Sequence, residues 1–305
     1  MFATLLGPLP SGAIIEGGSP EAALDAALQL QLEHGLEPLS VAGWTHPSGD
    51  PVATWRAAAA RTDVLVKAEL CGPWSSQGPE ATAGATYAGL DTNVAATRAN
   101  VLALIDSGCR WIEIHEPSAA SIGTDAEART RFADAHTALT DGLTSTTPGL
   151  HLGLAIVGGS ADAVGIDVIL AGTYASLAVD LIDGPDNWRL VTEAPADCGI
   201  VCGVIATRAG SDDRPELPIW AANYAASTRG RGMDRVGLAT SGSLAALPWQ
   251  AAALKVQRLG EAARLAAAPR AELLPRLDPR AVDIRSAALG RYDPPGDRPT
   301  RRRSS

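Results

Sequence analysis

Trp111-Ile112-Glu113-Ile114-His115-Glu116-Pro117 is the stretch on which the fold turns: a short β-rich run that ends in an imidazole and a carboxylate. It is the fourth of eight apolar runs, at residues 3–6, 36–42, 64–70, 111–115, 150–157, 176–182, 199–206 and 235–240. Several are continuously hydrophobic, as expected of strands covered on both faces. Ala-rich amphipathic segments with helix signals lie between them. Ser19-Pro20-Glu21 supplies an N-cap and a proline-led first turn, and Thr124-Asp125-Ala126-Glu127 resembles a capping box. Residues 86–105, 186–193, 217–227 and 248–268 complete the helical set. This alternation predicts an α/β fold, a single (β/α)8 TIM barrel over residues 1–268, with a Pro- and Arg-rich tail of little order over residues 269–305. An open doubly wound sheet is the runner-up, weakened because no glycine fingerprint follows the first strand. In a barrel, polar residues at the strand ends gather at the mouth, so His115 and Glu116 read as site residues.

Composition narrows the function. Of 305 residues, 46% are hydrophobic, enough for one large core, and only 4% are aromatic, so that core is aliphatic. A net charge of -9 argues against a nucleic-acid surface, and Arg301-Arg302-Arg303 reads as a solvated tail. No apolar run reaches the length of a membrane span, and the opening residues lack the basic region of a signal peptide. Cys71, Cys109, Cys198 and Cys202 are scattered, which is no disulfide framework. The expected setting is cytoplasmic and reducing, with a small-molecule substrate and neither nucleic acid nor membrane as partner.

Read in order, the strand ends resemble a known family. Thr4-Leu5-Leu6-Gly7-Pro8-Leu9-Pro10 is followed by Gln31-Leu32-Glu33-His34-Gly35-Leu36-Glu37 with Gly43 and Gly49-Asp50. Val66-Lys67-Ala68-Glu69-Leu70-Cys71-Gly72-Pro73, then Ile112-Glu113-Ile114-His115-Glu116-Pro117-Ser118, then residues 236–263 complete the series. Together, over about residues 3–266, these are similar to the C-terminal barrel domain of cobalamin-independent methionine synthases. The resemblance implies a methyltransferase of methionine biosynthesis and one-carbon metabolism, in which a zinc-bound thiol accepts a methyl group from a folate.

Such a zinc ion is held by a His and a Cys after the fifth strand, a Glu ending the sixth and a Cys after the eighth. Here Gly153 stands where the Cys would follow His151, and the equivalent placed by spacing, Val157-Gly158-Gly159-Ser160, offers no ligand. His151 then lies early in its strand, facing core or barrel floor. Asp180 replaces the Glu, and Thr240-Ser241-Gly242-Ser243 contains no cysteine. Cys198 and Cys202 are too far apart on an extended strand to chelate together. The remaining metal candidates are His151, Asp180 and Cys71.

For the chemistry itself the resemblance implies Glu116 as a catalytic residue, with His115 in place of a family Asp and Asp180 as a further carboxylate. His115 exchanges a fixed anion for a group that titrates near neutrality, which favours an acidic or neutral substrate. Asp183 with Asp180 and Glu116 can form a carboxylate pair for acid–base work, or cap a helix. Gly7, Trp44, His46, Cys71, Trp74, Ser75, Arg208, Ser241 and Ser243 are the substrate-binding candidates. Trp44 with His46 and Trp74 with Ser75 are aromatic–polar pairs suited to a pterin ring or to loop packing. Arg208 supplies a cation for an anionic substrate or a rim salt bridge. Two functions follow. One is methyl transfer from a folate-type donor to a thiol. The other is a zinc-less barrel of the same superfamily, which includes uroporphyrinogen decarboxylase-like folds, acting as a metal-independent lyase or decarboxylase or binding a small metabolite.

Overall fold

The computed structural model describes residues 1–10, 19–77, 87, 89–211 and 213–268, so the expected tail 269–305 lies outside the described residues. In chain order the elements are β1 (Phe2–Thr4), α1 (Pro20–Glu33), α2 (Pro51–Ala59), β2 (Ala68–Cys71), α3 (Leu90–Asp106), β3 (Trp111–His115), α4 (Ala126–Thr140) and the short α5 (Leu143–Thr146). They continue with β4 (His151–Ile156), the short α6 (Ile166–Ile169), β5 (Ser176–Asp180), α7 (Trp188–Glu193), β6 (Gly199–Ile205), α8 (Glu216–Ser227), β7 (Val236–Thr240) and α9 (Trp249–Ala266). Helix starts follow the capping chemistry. Ser19 accepts a hydrogen bond from the Ala22 amide at the head of α1. α4 starts one residue later than the capping box suggests, with Asp125 accepting from the Ala128 amide at 3.0 Å.

The strands form one parallel sheet in the order β1-β7-β6-β5-β4-β3-β2. The α/β architecture is as expected; the eight-stranded closed barrel is not, because seven strands pair among the described residues. The second apolar run, 36–42, makes only two isolated bridges. Glu37 donates its amide to Ala3, while Leu39 donates to Leu65 and accepts from the Lys67 amide. Pro38 has no N–H to offer a ladder, and Ala42 and Gly43 turn the chain away with positive φ. A Cβ on Gly43 would lie 2.2 Å from the Pro8 ring, so this turn needs glycine on packing grounds as well as conformation. Residues 37–39 therefore bridge the two edges of the sheet without forming an eighth strand.

The sheet curls strongly. β1 and β3 are five places apart in the strand order, roughly 24 Å along a flat sheet at about 4.8 Å per strand. Yet the rings of Phe2 and Trp111 meet edge to face at 5.2 Å. The concave face holds its own small cluster, Leu6, Ala155, Val157, Ala178, Val201 and Ala239, with Phe2 packed against it. The convex face carries the large aliphatic core shared with the helices. Small residues inside permit the curvature: a Cβ at Gly237 would strike the Phe2 ring at 2.5 Å. No described helix is long and apolar enough to cross a membrane.

Candidate active site

Side chains alternate along each strand, and register fixes which ones share a face. Glu69 pairs with Glu113 and Cys71 with His115 on β2 and β3. His115 lies level with Ala155 of the inner cluster, so Glu69, Glu113 and His115 share the concave side. Lys67 reaches the same place. Its ammonium, with no exposed surface, donates to Glu113 Oε1 at 2.6 Å and to the Leu5 carbonyl at 2.7 Å, and lies 3.1 Å from Glu69 Oε1. Three acceptors satisfy its three N–H groups. Ser40 donates to the same Glu69 oxygen at 2.9 Å, and His115 Nε2 lies 2.7 Å from Glu113 Oε1.

The electrostatics of this group follow from burial and charge. Burial alone would push Lys67 towards its neutral form, but the charges of Glu113 and Glu69 outweigh it and hold the ammonium above its ordinary value. Burial would likewise raise Glu113; the Lys67 charge and the His115 hydrogen bond reverse this and keep it a carboxylate. His115 is depressed by burial and raised more by its hydrogen bond to Glu113 and by the charges of Glu113 and Glu69, against Lys67, for a net upward shift. With one cation and two anions fixed, protonated His115 makes the group electrically neutral. Its Nδ1 has no partner among the described residues, and the side chain is 16% exposed. The arrangement has the makings of an acid–base dyad: Glu113 bonds one imidazole nitrogen and leaves the other unpaired among the described residues.

The expected site residues are distributed differently. His115 lies in this network, but alternation sends its neighbour Glu116 to the convex side. This corrects the expectation that Glu116 points into the mouth. Glu116 is fully buried, accepting from the Trp74 amide at 2.9 Å and the Ser75 amide at 2.7 Å, with His136 Nε2 3.2 Å from Oε1. A Cβ on Gly72 would sit 2.1 Å from that carboxylate, so the glycine makes room for it. Glu116 thus pins the loop after β2. Trp74, 2% exposed and packed between Tyr87 and Phe132, has no face for a pterin, and the Ser75 hydroxyl accepts from the Ser118 amide.

Asp180 ends β5 on the concave side, register partner of Gly203, with Oδ1 accepting from the Ile182 and Asp183 amides at 2.8 and 2.9 Å. Its buried Oδ2 has no partner among the described residues, and burial raises its carboxyl above its ordinary value. The Ser241 hydroxyl is buried and unpartnered too, and a Cβ at Gly203 would lie 3.0 Å from Ser241 Cα, so both residues flank Gly203. Gly7 adopts a positive φ and approaches the Ser243 backbone, while Arg208 pairs with Asp183 at the exposed rim. His46 bonds Ser48 at 2.8 Å, and Trp44 meets its ring edge to face.

The three metal candidates are not brought together. His151 opens β4 at the far end of the sheet, stacked on Trp111 at 3.7 Å and bonded to Ser176, and burial depresses it to about 4. Cys71 closes β2 and is exposed; Asp180 ends β5. Cys109, Cys198 and Cys202 are buried, which raises their thiols to about 11, 11 and 12, far from the thiolate a zinc ion takes. Among the described residues one cluster has three donors within 4.8 Å, namely Glu69, Glu113 and His115. It contains no sulfur, and the Lys67 ammonium already bridges its carboxylates. These residues do not fit the zinc site that the family resemblance implies.

Lys67, Glu69 and Glu113 are the participants that motif reading passed over. Their signal is nevertheless in the sequence. Lys67 is one of two lysines in the chain, it sits in an apolar run, and Lys67/Glu69 and Glu113/His115 each repeat charge at a spacing of two.

Beside this network lies a cavity of about 520 Å³ between α2, α3, β2 and the turn after residue 41. Glu69, Cys71, Trp44 and Trp55 line it.

No family model matches the chain, and no curated protein matches it. Solved structures do. A B12-independent methionine synthase from a Shewanella species, in complex with selenomethionine, superposes with a TM-score of 0.67 at 13% identity, covering 90% of this chain and 98% of that one. A putative vitamin-B12-independent methionine synthase from Listeria monocytogenes gives 0.61 at 15% identity, covering 87% and 96%. A methyltransferase from Methanosarcina mazei gives 0.53 at 13%, covering 86% and 92%. At these identities the likeness is one of fold.

Proposed function

We propose that this chain is a metal-independent acid–base enzyme on a methionine-synthase-like scaffold, of the lyase or decarboxylase kind, in which His115 exchanges a proton with a small organic substrate. The observation that carries this reading is the Lys67 ammonium, 2.6 Å from Glu113 and 3.1 Å from Glu69. It supplies permanently, from within the chain, the positive charge that a metal would bring to those carboxylates. Glu113, held by Lys67, fixes the imidazole through Nε2 and leaves Nδ1 for the substrate. The raised affinity of His115 for its proton extends to higher pH the range in which the imidazole holds a proton to deliver. As a carbon–carbon bond to a departing carboxylate breaks, its electron pair stays on the substrate carbon, and the Nδ1 proton moves to that carbon. Partial exposure lets solvent restore the proton. The unpartnered oxygens of Asp180 and Ser241 offer polar anchors further round the concave face.

Methyl transfer to a zinc-bound thiol is the other reading that the scaffold suggests, and the donor set does not support it. Deuterium incorporation into a panel of small carboxylic acids in D2O, followed by NMR, separates the two. Chelator-washed protein is expected to catalyse exchange or decarboxylation of at least one acid, and His115→Gln to lose about 10²–10⁴-fold of that rate. Full activity in His115→Gln, or thiol methylation that requires stoichiometric zinc, would overturn the proposal.

A further inference from the structure

The two edges of the curled sheet are joined only by isolated bridges at residues 37–39. Pairing between residues 36–42 and the β2 side ends at Leu39 and Lys67, and beyond it the chain turns off through Ala42 and Gly43. The 520 Å³ cavity opens in that seam and is of ordinary size for a small ligand. Among the described residues its lining contains one charged side chain, Glu69, and no Lys, Arg or His. Glu69 Oε1 is occupied by Lys67 and Ser40; Oε2 accepts no hydrogen bond from a described residue. Two indoles, Trp44 and Trp55, form part of the wall. Trp55 spends its N–H on the Val66 carbonyl, whereas the buried Trp44 N–H has no partner among the described residues.

We infer that this cavity binds a small organic ammonium ion such as an N-alkylated amine, with Glu69 as counter-charge and the indoles of Trp44 and Trp55 beside the cationic head. A lone carboxylate with aromatic neighbours selects a cation. An amino acid is disfavoured, because no cation in the lining meets its carboxylate. This deepens the proposed function by naming a substrate class at its border, and rests on that reading only for the link from binding to proton transfer.

Binding is measured without turnover, so the two ideas fail separately. Choline is titrated into the full chain and followed by calorimetry and tryptophan fluorescence, with glycine betaine, which replaces the hydroxyl end by a carboxylate, as comparison. Saturable choline binding is expected, with betaine weaker by about tenfold or more. Glu69→Gln is expected to lose about tenfold or more in choline affinity. Ala96→Lys, at an exposed position of α3 on the cavity rim, is expected to lose as much while leaving the fold intact. Absence of saturable choline binding, equal binding of betaine, or unchanged affinity in folded Glu69→Gln and Ala96→Lys would overturn the inference.

Discussion

Replacing Lys67 by alanine removes the charge that lets two carboxylates and an imidazole share one buried face. Glu113 is 2% exposed, and its Oε1 would keep only the His115 hydrogen bond. Breaking a buried ion pair from one side typically costs about 3–5 kcal/mol, because the surviving charge remains desolvated. For a domain of this size, at about 2–4 °C per kcal/mol, the loss corresponds to a fall in Tm of roughly 6–20 °C. The same substitution frees space among Glu69, Glu113 and His115, whose ligand atoms lie within 4.8 Å of one another. Zinc or manganese is therefore expected to bind Lys67→Ala and to restore about 2.7 kcal/mol at a concentration a hundredfold above its Kd, while leaving wild type unmoved. Thermal unfolding followed by circular dichroism, with and without the metal, reads both effects. Glu113→Gln in the Lys67→Ala background should recover part of the stability, since it removes the stranded charge. Wild type gaining as much from the metal as the variant, or Lys67→Ala costing under about 1 kcal/mol, would refute the view that the lysine fills a metal's place.

Other consequences follow from the same coordinates. Gly72→Ala puts a Cβ 2.1 Å from the Glu116 carboxylate, so it should destabilise by about 1–3 kcal/mol in urea unfolding; a neutral result would mean that Glu116 moves freely. Glu116→Gln weakens two amide-to-carboxylate hydrogen bonds and should cost about 1–3 kcal/mol, read in the same assay. His151 is depressed by burial to about 4 against an ordinary 6.5. Its contribution to stability is present above pH 6.5 and fades as pH falls towards about 4, and His151→Gln should flatten that part of the pH–stability curve. Native alkylation followed by mass spectrometry should add one adduct, at Cys71, because the other three thiols are buried; further adducts before unfolding would contradict that burial.

Much of the scaffold was legible in the residue pattern. Seven of the eight apolar runs are strands, in an order that neighbouring runs alone suggest, because continuous hydrophobicity identifies strands covered on both faces. The run at 36–42 failed for a reason visible only with its partners: it is apolar enough, but Pro38 and the turn at Ala42 leave it two bridges. The site was legible in part. The strand end points to both His115 and Glu116 at one mouth, although adjacent residues on a strand face opposite ways. Applying that alternation to Glu113 and Glu69 points to the network instead. What no pattern could supply is the reach of Lys67, whose ammonium touches the Leu5 carbonyl 62 positions earlier. Nor could it tell that Trp74 is walled in by Phe132 from α4.

The buried Glu113 carboxylate raises the proton affinity of the His115 imidazole bonded to it. Titration of the His115 ring by NMR in the intact protein tests this most directly, with Glu113→Gln alongside. The predicted result is a His115 pKa above the ordinary 6.5 in wild type and a fall in the variant. The stability that its proton contributes should be complete below pH 6.5 and vanish as pH rises through the wild-type value. A His115 pKa at or below 6.5 in wild type, or one that Glu113→Gln leaves in place, would contradict it.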